Sequence, residues 1–238
     1  MTHSIEVSLT PALYPMRTTP HPHTTVVVDI LRATSVVCAA FASGVQSIVP
    51  LDSLADLSSF RKKGYILAAE RNGEKIGDAE LGNSPTEYMG RDLHGCRLAY
   101  STTNGTVSIL RAADAERTLI GCFSNISALI ATLTSIPQNL VILCSGWKQD
   151  FSLEDTLFAG ELASRLLDGG LYETHNDATL MAIELFHQAG NDLYNYCRNA
   201  SHVIRLQRLG ADKDILFALQ RDTCPYVPYL DQNKVLTI

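Results

Sequence analysis

Six short apolar runs, several of them rich in β-branched residues, alternate with helical segments over the first 167 residues of the chain. The runs cover residues 25–30, 46–50, 65–69, 97–101, 118–121 and 140–144. The first reads TVVVDI, a continuous β-branched stretch typical of a strand buried on both faces of a parallel sheet. Because strands that alternate with helices form parallel βαβ units, we predict a layered α/β/α fold with a mainly parallel sheet.

The segments between these runs have helical periodicity and helix-terminating residues. The helices are predicted at residues 33–43, 52–63, from 106 onward, 125–135 and 153–167. Gly44 is placed to end the first helix, and Asp52 is placed to cap the second. Residues 70–85 are polar and contain several glycines, which indicates a long loop.

The character of the chain changes after Gly169 and Gly170, where strand-like runs give way to helical ones. Helices are predicted at residues 176–188, 191–198, 202–209 and 212–220, and a terminal hairpin at residues 226–230 and 234–238. We therefore expect one domain over residues 1–238 with a helical C-terminal part, and a sub-division near residues 169–175 as the alternative.

Composition and charge exclude several classes of protein. The chain has 238 residues, of which 46% are hydrophobic, and a net charge of -6. That charge offers no basic surface for nucleic acid or for an anionic membrane, and no apolar run approaches the roughly 20 residues of a membrane helix. The N-terminus lacks the pattern of a secretory signal, so we expect a cytoplasmic protein. Six cysteines without CxxC spacing indicate buried reduced thiols rather than a zinc site.

Ligands of parallel α/β sheets bind beyond the carboxyl ends of the strands, and that rule selects a few polar segments. They are residues 29–34, Glu70, and residues 102–105, 122–125 and 145–155. Because the carboxyl ends of parallel strands lie at the same edge of a sheet, we expect these segments to converge there.

The segment STTNGT, residues 101–106, consists of small polar residues between a strand and a helix. We call residues 102–105 the anion cradle; they are Thr102, Thr103, Asn104 and Gly105. Their free backbone N–H groups and hydroxyl donors would suit an anion, most often phosphate. A glycine-assisted turn with a threonine N-cap explains the segment equally well. Neither GxxxxGK[ST] nor GxGxxG occurs in the chain, which disfavours nucleotide binding.

Charged residues accompany this segment at the predicted strand ends. Arg32 supplies a planar cation suited to phosphate or carboxylate. The acidic residues are Asp29, Glu70, Glu154 and Asp155. Each acid taken singly fits a structural role such as helix capping, but together they favour a bound divalent cation. Mg²⁺ is usually held by one or two carboxylates plus water and substrate oxygens, so we predict Mg²⁺ at these four residues.

Several motifs, read in order, resemble one family. They are VVVDILRATS, AERNG, LGNSPTEY, STTNGT, GCFSN, CSGWKQDFSLEDTLFAG, and SHVIRLQRLGADKDILFALQRD followed by VP. Together they are similar to the 2-phosphosulfolactate phosphatase (ComB-like) family from about residue 24 to the end. The chain departs from the family's usual pattern at Glu80, Cys122 and Ser145, where the family usually has Asp, Ser and Ala.

The resemblance implies a Mg²⁺-dependent phosphatase that converts 2-phospho-3-sulfolactate, or a similar 2-phosphorylated carboxylic acid, to the 2-hydroxy acid and phosphate. In the family this is a step toward coenzyme M. A small phosphorylated acid is then the expected partner, and a homodimer stays open. We expect the anion cradle to bind this substrate together with five further residues, Thr34, Asn83, Ser84, Asn125 and Trp147. The alternative is a non-catalytic binding protein for small phosphorylated acids.

The spacing of the motifs narrows the choice of nucleophile. Cysteine phosphatases place an arginine six positions after the cysteine, where this chain has Asp150 or Ala128. Haloacid-dehalogenase phosphatases need a second aspartate where Leu31 stands. Asp29 as the nucleophile is slightly favoured over attack by metal-bound water with Asp29 as ligand or base. No histidine, His202 included, lies within the motifs assigned to the site, which fits a nucleophile that needs no general base.

Overall fold

A computed structural model describes residues 2–148 and 150–238. The strands are β1 (His3–Ser8), β2 (His23–Val28), β3 (Ser47–Leu51), β4 (Ile66–Arg71), β5 (Glu74–Lys75), β6 (Arg97–Ser101), β7 (Arg117–Gly121), β8 (Asn139–Cys144), β9 (Tyr172–Glu173), β10 (Tyr229–Leu230) and β11 (Leu236–Thr237). They join in one mixed sheet in the order β5-β4-β6-β3-β11-β10-β7-β2-β8-β1-β9.

The centre of the sheet is parallel and buried on both faces. Strand β2 pairs in parallel with β7 and with β8, and all six of its residues are buried. A strand that is apolar on both faces must be covered by helices on both sides, so the continuous run of valines leads to a layered arrangement. The predicted α/β class with a mainly parallel sheet is confirmed.

The helices largely follow the sequence pattern. They are α1 (Ala33–Ala42), α2 (Leu57–Arg61), α3 (Pro85–Tyr88), α4 (Gly105–Arg111), α5 (Ile126–Ser135), α6 (Leu153–Asp168), α7 (Asp177–Ala189), α8 (Leu193–Cys197), α9 (Ser201–Arg208) and α10 (Asp212–Ala218). The helix predicted at residues 52–63 is reduced to α2, and Asp52 does not cap it. The predicted loop of residues 70–85 contains β5, which pairs with the end of β4 in a small hairpin.

Strands β1, β5 and β9 go beyond the sequence expectation, and the terminal hairpin has an unexpected place in the sheet. Strand β1 was not predicted, yet it pairs with β8 and β9. The terminal hairpin is confirmed, and it lies inside the sheet rather than at an edge: β10 pairs with β7, and β11 pairs with β3. The last residues of the chain therefore join two parallel blocks, β4-β6-β3 and β7-β2-β8-β1-β9.

The sheet must also curve strongly. Strands β2 and β6 are five places apart in the strand order. In a flat sheet that separation would be about 24 Å, at about 4.8 Å per strand. Yet a Cβ atom on Gly105, just after β6, would lie 2.7 Å from Oδ2 of Asp29, just after β2. Curvature therefore brings the carboxyl ends of the two blocks together.

Two further properties of the described residues bear on the predicted class of protein. None of their helices combines the length and the apolar character that crossing a bilayer requires. All six cysteines are unpaired thiols, and five of them are buried, as the sequence predicted. The assignment of one domain stays a prediction.

Candidate functional site

A cavity of about 260 Å³ opens where the ends of β2, β4 and β6 converge. It is lined by Asp29, Leu31, Arg32, Glu70, Asn72, Gly73, Asn83, Thr102, Thr103, Asn104, Trp147, Lys148, His202, Arg205, Leu206 and Leu209. The expected convergence of strand-end segments is thus confirmed for the segments that carry Asp29, Glu70, Asn104 and Trp147. The helical C-terminal part completes the cavity with His202, Arg205 and Leu206 of α9 and with Leu209, which follows that helix.

A backbone hydrogen bond fixes one carboxylate oxygen of Asp29, and the other oxygen has no hydrogen bond from the described residues. Its Oδ1 accepts a hydrogen bond from the Ala33 N–H at 3.1 Å, while its Oδ2 accepts none from the described residues. Burial raises the pKa of Asp29 to about 7, and the nearby carboxylates of Glu70 and Glu154 act in the same direction. A carboxylate that stays ionised across the working pH range, as the sequence analysis implies for the nucleophile, therefore requires a cation beside it.

Thr34 and Gly105 support Asp29 instead of facing the cavity. The Thr34 hydroxyl is fully buried; it donates to the Asp29 carbonyl at 2.9 Å and accepts from the Asp29 N–H at 3.0 Å. Both hydrogen bonds of that hydroxyl are made with the backbone of Asp29, and it has no access to the cavity. The assignment of Thr34 to substrate binding is therefore corrected. Gly105 packs against Asp29 and Ala33 so closely that any side chain there would collide with both.

The segment of residues 102–105 offers fewer free donors than expected. The Thr102 N–H donates to the Thr106 hydroxyl at 3.1 Å, and the Thr103 N–H donates to Oε1 of Glu70 at 2.8 Å. The N–H groups of Asn104 and Gly105 donate to no acceptor among the described residues. The hydroxyls of Thr102 and Thr103 donate to Thr106 at 3.4 Å and to Glu70 at 2.9 Å. Gly105 does not line the cavity, so the donors of the segment that remain for an anion are the N–H and the side-chain amide of Asn104.

Arg32 lies in the cavity wall as predicted, but it already has an acidic partner. Its Nη1 forms an ion pair of 2.6 Å with Asp214 of α10, and both side chains are more than 90% buried. Its Nη2 donates to the Gly73 carbonyl at 3.0 Å. Asp214 also accepts hydrogen bonds from the hydroxyls of Ser84 at 2.7 Å and Thr86 at 2.6 Å. Ser84 therefore serves this buried pair, and its assignment to substrate binding is corrected.

Glu70 and Asp155 are oriented by backbone N–H groups. Glu70 accepts from Thr103 through Oε1 and from the Gly73 N–H through Oε2 at 2.6 Å. Asp155 accepts from the Ile30 N–H at 2.8 Å and, through its other oxygen, from the Gly146 N–H at 3.1 Å. Burial raises the pKa of Asp155, and the charges of Asp29 and Glu154 add to that effect.

Glu154 contacts a histidine that the sequence analysis left outside the site. Nδ1 of His202 lies 3.1 Å from Oε1 of Glu154, and the imidazole stacks on the Trp147 indole at 5.5 Å with an interplanar angle of 5°. The other oxygen of Glu154 is buried and has no hydrogen-bond partner among the described residues. The expectation that no histidine lies near the site is therefore wrong.

The two predicted asparagines have different surroundings. Asn83 lines the cavity, and its Oδ1 accepts a hydrogen bond from the Tyr100 hydroxyl. Asn125 is fully buried away from the cavity; it accepts from the Cys122 N–H at 3.0 Å and donates to the carbonyls of Ile120 and Tyr226, both at 3.1 Å. Its amide is used by the backbone of β7 and the C-terminal segment, so its assignment to substrate binding is corrected.

The sequence did not predict four ionisable residues that line or support the cavity, namely Lys148, His202, Arg205 and Asp214. Three of them belong to the stretch SHVIRLQRLGADKD, which the sequence analysis used only for resemblance. A usable signal existed: His202 and Arg205 are three residues apart on a helix and therefore share a face. Their contact with the strand ends depends on the tertiary structure, so the sequence could not predict it.

The fold and the cavity define an α/β protein whose strand-end site combines buried carboxylates with basic side chains, an arrangement frequent at enzyme active sites. The model of the 2-phosphosulpholactate phosphatase family matches residues 8–233. The chain belongs to this family, whose named activity is that of a phosphoric monoester hydrolase.

Curated relatives agree with this assignment. A protein of Caldanaerobacter subterraneus subsp. tengcongensis is 33% identical over 216 residues, covering 89% of each chain. A protein of Picosynechococcus is 35% identical, with 90% of this chain and 91% of the relative covered. A third, of Prochlorococcus marinus, is 37% identical, with 90% and 92% covered. Each is named as a probable 2-phosphosulfolactate phosphatase.

Proposed function

We propose that this protein is a Mg²⁺-dependent phosphatase that hydrolyses 2-phospho-3-sulfolactate, or a closely similar 2-phosphorylated carboxylic acid, to the 2-hydroxy acid and phosphate. Family membership supports the reaction class. The observation that carries the proposal is Asp29, a buried carboxylate fixed through one oxygen, with its second oxygen unbonded and its side chain lining the cavity.

The residues present fit a magnesium ion. The donors are carboxylate oxygens, which Mg²⁺ prefers, and the unpartnered buried oxygen of Glu154 lacks the neighbour that such an atom normally has. No group of three His, Cys, Asp or Glu side chains in residues 2–148 and 150–238 is arranged to hold a metal by itself. That suits an ion held by one or two carboxylates and completed by substrate oxygens.

Asp29 and Glu154 would hold the ion, with Glu70 and Asp155 as the further predicted ligands. Of the four acids, Glu154 is favoured by its hydrogen bonds, because its Oε2 accepts none from the described residues. Both oxygens of Glu70 and of Asp155 already accept backbone hydrogen bonds. When bound, the ion would neutralise negative charge on the phosphoryl oxygens.

The chain's own residues support covalent catalysis by Asp29. Oδ2 of Asp29 attacks phosphorus, the bond between phosphorus and the C2 oxygen breaks, and the released alkoxide takes up a proton from solvent. Water then cleaves the acyl phosphate, which releases phosphate and restores the carboxylate. Thr34 and Ala33 hold Asp29 in place through both steps, because their hydrogen bonds involve its backbone and Oδ1 only.

Phosphate release from a substrate panel, with and without chelator, tests the proposal. The panel contains 2-phospho-3-sulfolactate, 2-phospholactate and phosphoglycolate. We expect hydrolysis of the first to disappear in EDTA and to return with added Mg²⁺. Full activity in EDTA would refute the metal requirement. Tight binding of the panel without hydrolysis in the presence of Mg²⁺ would instead favour the non-catalytic binding protein.

The cellular setting is part of the same proposal. A cytoplasmic protein that supplies sulfolactate toward coenzyme M would account for the family name, and the six unpaired thiols suit a reducing compartment. Cell fractionation, with analysis of sulfolactate in a deletion strain, tests both points. Protein in the membrane or secreted fraction, or unchanged sulfolactate, would contradict them.

A further inference from the structure

Three of the six cysteines lie together, outside the lining of the strand-end cavity. Cys38 belongs to α1, Cys122 follows β7, Cys224 follows α10, and all three are buried. The side chain of Cys38 forms hydrogen bonds with the side chains of Cys122 and Cys224. Sγ of Cys224 also lies 3.5 Å from the carbonyl oxygen of Cys38, although the two residues are 186 positions apart in the chain. The fold therefore places three thiols in contact, and the proposed hydrolysis uses none of them.

Of the three thiols, Cys224 lines a second cavity of about 280 Å³. Met89, Gln220 and Thr223 line the same cavity and are exposed, so the cavity opens to the surface. Cys38 and Cys122 are fully buried and are not among its lining residues. A small molecule that enters from solvent therefore reaches Cys224 before the other two thiols.

The hydrogen bonds make the thiols chemically different. The hydrogen bond with Cys38 lowers the pKa of Cys224, which favours the nucleophilic thiolate. Hydrogen bonds with Cys122 and Cys224, together with burial, raise the pKa of Cys38, so Cys38 stays a thiol. Sγ of Cys122 is held by the Ser124 hydroxyl at 2.9 Å. An accessible cysteine that favours the thiolate, with a second thiol beside it, is the arrangement of redox-sensitive cysteine pairs.

We propose that Cys224 and Cys38 form a peroxide-sensitive pair that converts reversibly to a disulfide. The Cys224 thiolate attacks one oxygen of the peroxide, so an S–O bond forms, the O–O bond breaks, and the departing hydroxide takes up a proton to become water. The Cys38 sulfur then attacks the sulfur of this sulfenic acid; the S–S bond forms, the S–O bond breaks, and the hydroxide leaves as water with the Cys38 proton. The thiols lose two electrons, which the peroxide gains, and a dithiol reductant reverses the change.

Mass spectrometry of the folded, full-length protein tests the proposal. All proteins carry Cys96→Ser, because Cys96 is only half-buried and lies outside the cluster. After treatment with hydrogen peroxide, the protein should lose about 2 Da, the mass of two hydrogens, and digestion should release peptides joined at Cys38 and Cys224 that dithiothreitol separates. Cys122→Ser, which introduces the residue usual in the family, is the matched control and should form the same bond.

Two further variants identify the role of each thiol. Cys224→Ser should abolish the loss of mass. In Cys38→Ala the sulfenic acid should persist, so dimedone should label Cys224 at least about 10-fold more than in the parent protein. If Cys38→Ala does not fold, alkylation of the parent protein replaces it: iodoacetamide at neutral pH should label Cys224 at least about 10-fold faster than the fully buried Cys144.

Several results would overturn the inference. They are an unchanged mass after peroxide, a bond between Cys38 and Cys122 instead, a loss of mass that survives in Cys224→Ser, and equal alkylation of Cys224 and Cys144. None of these measurements uses phosphate release. The inference goes beyond the proposed function and does not depend on it, so either can fail while the other stands.

Discussion

The acidic and the basic side chains of the strand-end site are held in opposite ways. The acidic cluster consists of Asp29 and Glu70, which line the cavity, and of Glu154 and Asp155, which are not among its lining residues; the basic wall consists of Lys148 and Arg205. The acidic side chains are almost fully buried, and Asp29, Glu70 and Asp155 each accept hydrogen bonds from backbone N–H groups. Lys148 and Arg205 are exposed or half-buried, stand beside one indole, and bond to no described residue.

This difference fits two separate roles, the reaction at phosphorus for the buried carboxylates and binding of the substrate for the basic side chains. Backbone hydrogen bonds and burial fix a carboxylate within narrow limits, which a reaction at phosphorus requires. Long basic side chains without partners can adjust to a ligand, which suits substrate binding. Changes in the acidic cluster should therefore alter turnover and stability, whereas changes in the basic wall should alter KM.

The largest effect is expected for Asp29→Asn. The amide keeps the shape of the carboxylate but is a poor nucleophile, so kcat should fall by about 10⁴-fold to 10⁶-fold, the range seen when one member of a covalent catalytic unit is removed. Phosphate-ester binding, measured by calorimetry, should weaken far less. The Arg205→Gln variant provides the contrast, because its effect should appear in KM.

Trapping experiments sharpen this prediction. Borohydride reduction during turnover should modify Asp29 if an acyl phosphate forms there. An enzyme that cannot be trapped, and that inverts the configuration at phosphorus, would instead indicate direct attack by water. Asp29 would then be reduced to a ligand or a base.

A second large effect should follow from breaking the buried pair of Arg32 and Asp214. Asp214→Ala leaves Arg32 buried without its partner and should lower the free energy of unfolding by about 3–5 kcal/mol. The control is Asp78→Ala, which removes the partner of Arg61 at an exposed ion pair and should leave the unfolding midpoint nearly unchanged. Similar urea midpoints for the two variants would show that the buried pair adds little.

A smaller effect concerns pH in the metal-free protein. The pKa of Asp29 in the fold, about 7, exceeds its ordinary value of 3.8, so the fold favours the protonated acid. This contribution to stability is present at low pH and is lost as pH rises through 7. It should be at most about 4 kcal/mol, because one pKa unit corresponds to about 1.4 kcal/mol. Asp155, whose pKa burial also raises, acts in the same direction.

Urea unfolding in EDTA at pH 5.5 and pH 8 measures this dependence, with Asp29→Asn as the matched variant. Relative to that variant, the wild-type protein should lose stability toward pH 8, and Mg²⁺ should stabilise it more at pH 8 than at pH 5.5. His23, whose pKa burial lowers to about 4, changes stability in the opposite direction in both proteins and cancels in the comparison. Identical pH dependence in the two proteins would contradict the raised pKa of Asp29.

The sequence predicted the parallel core well because each element is encoded locally. The valines of β2, the apolar stripe of α6 and the hairpin at residues 226–238 are visible as periodicity and turn residues. The missed strand β1 and the shortened α2 depend instead on pairing and packing with distant segments. Thr34 and Asn125 were assigned to substrate because hydroxyls and amides at strand ends can face either a ligand or the backbone, and spacing does not distinguish these cases.

By itself, the sequence determined the α/β class, the family, and the strand-end positions of Asp29, Arg32 and Glu70. Only the tertiary structure decided that β2 and β6, five places apart in the sheet, would curve toward one cavity. It alone assigned Asp214 to Arg32 and placed His202 beside Glu154. The physical reason is the distance along the chain over which the interactions act. Strand ends follow from the local hydrophobic pattern, whereas His202 and Glu154, 48 residues apart, and Arg32 and Asp214, 182 residues apart, meet only through the packing of the whole chain.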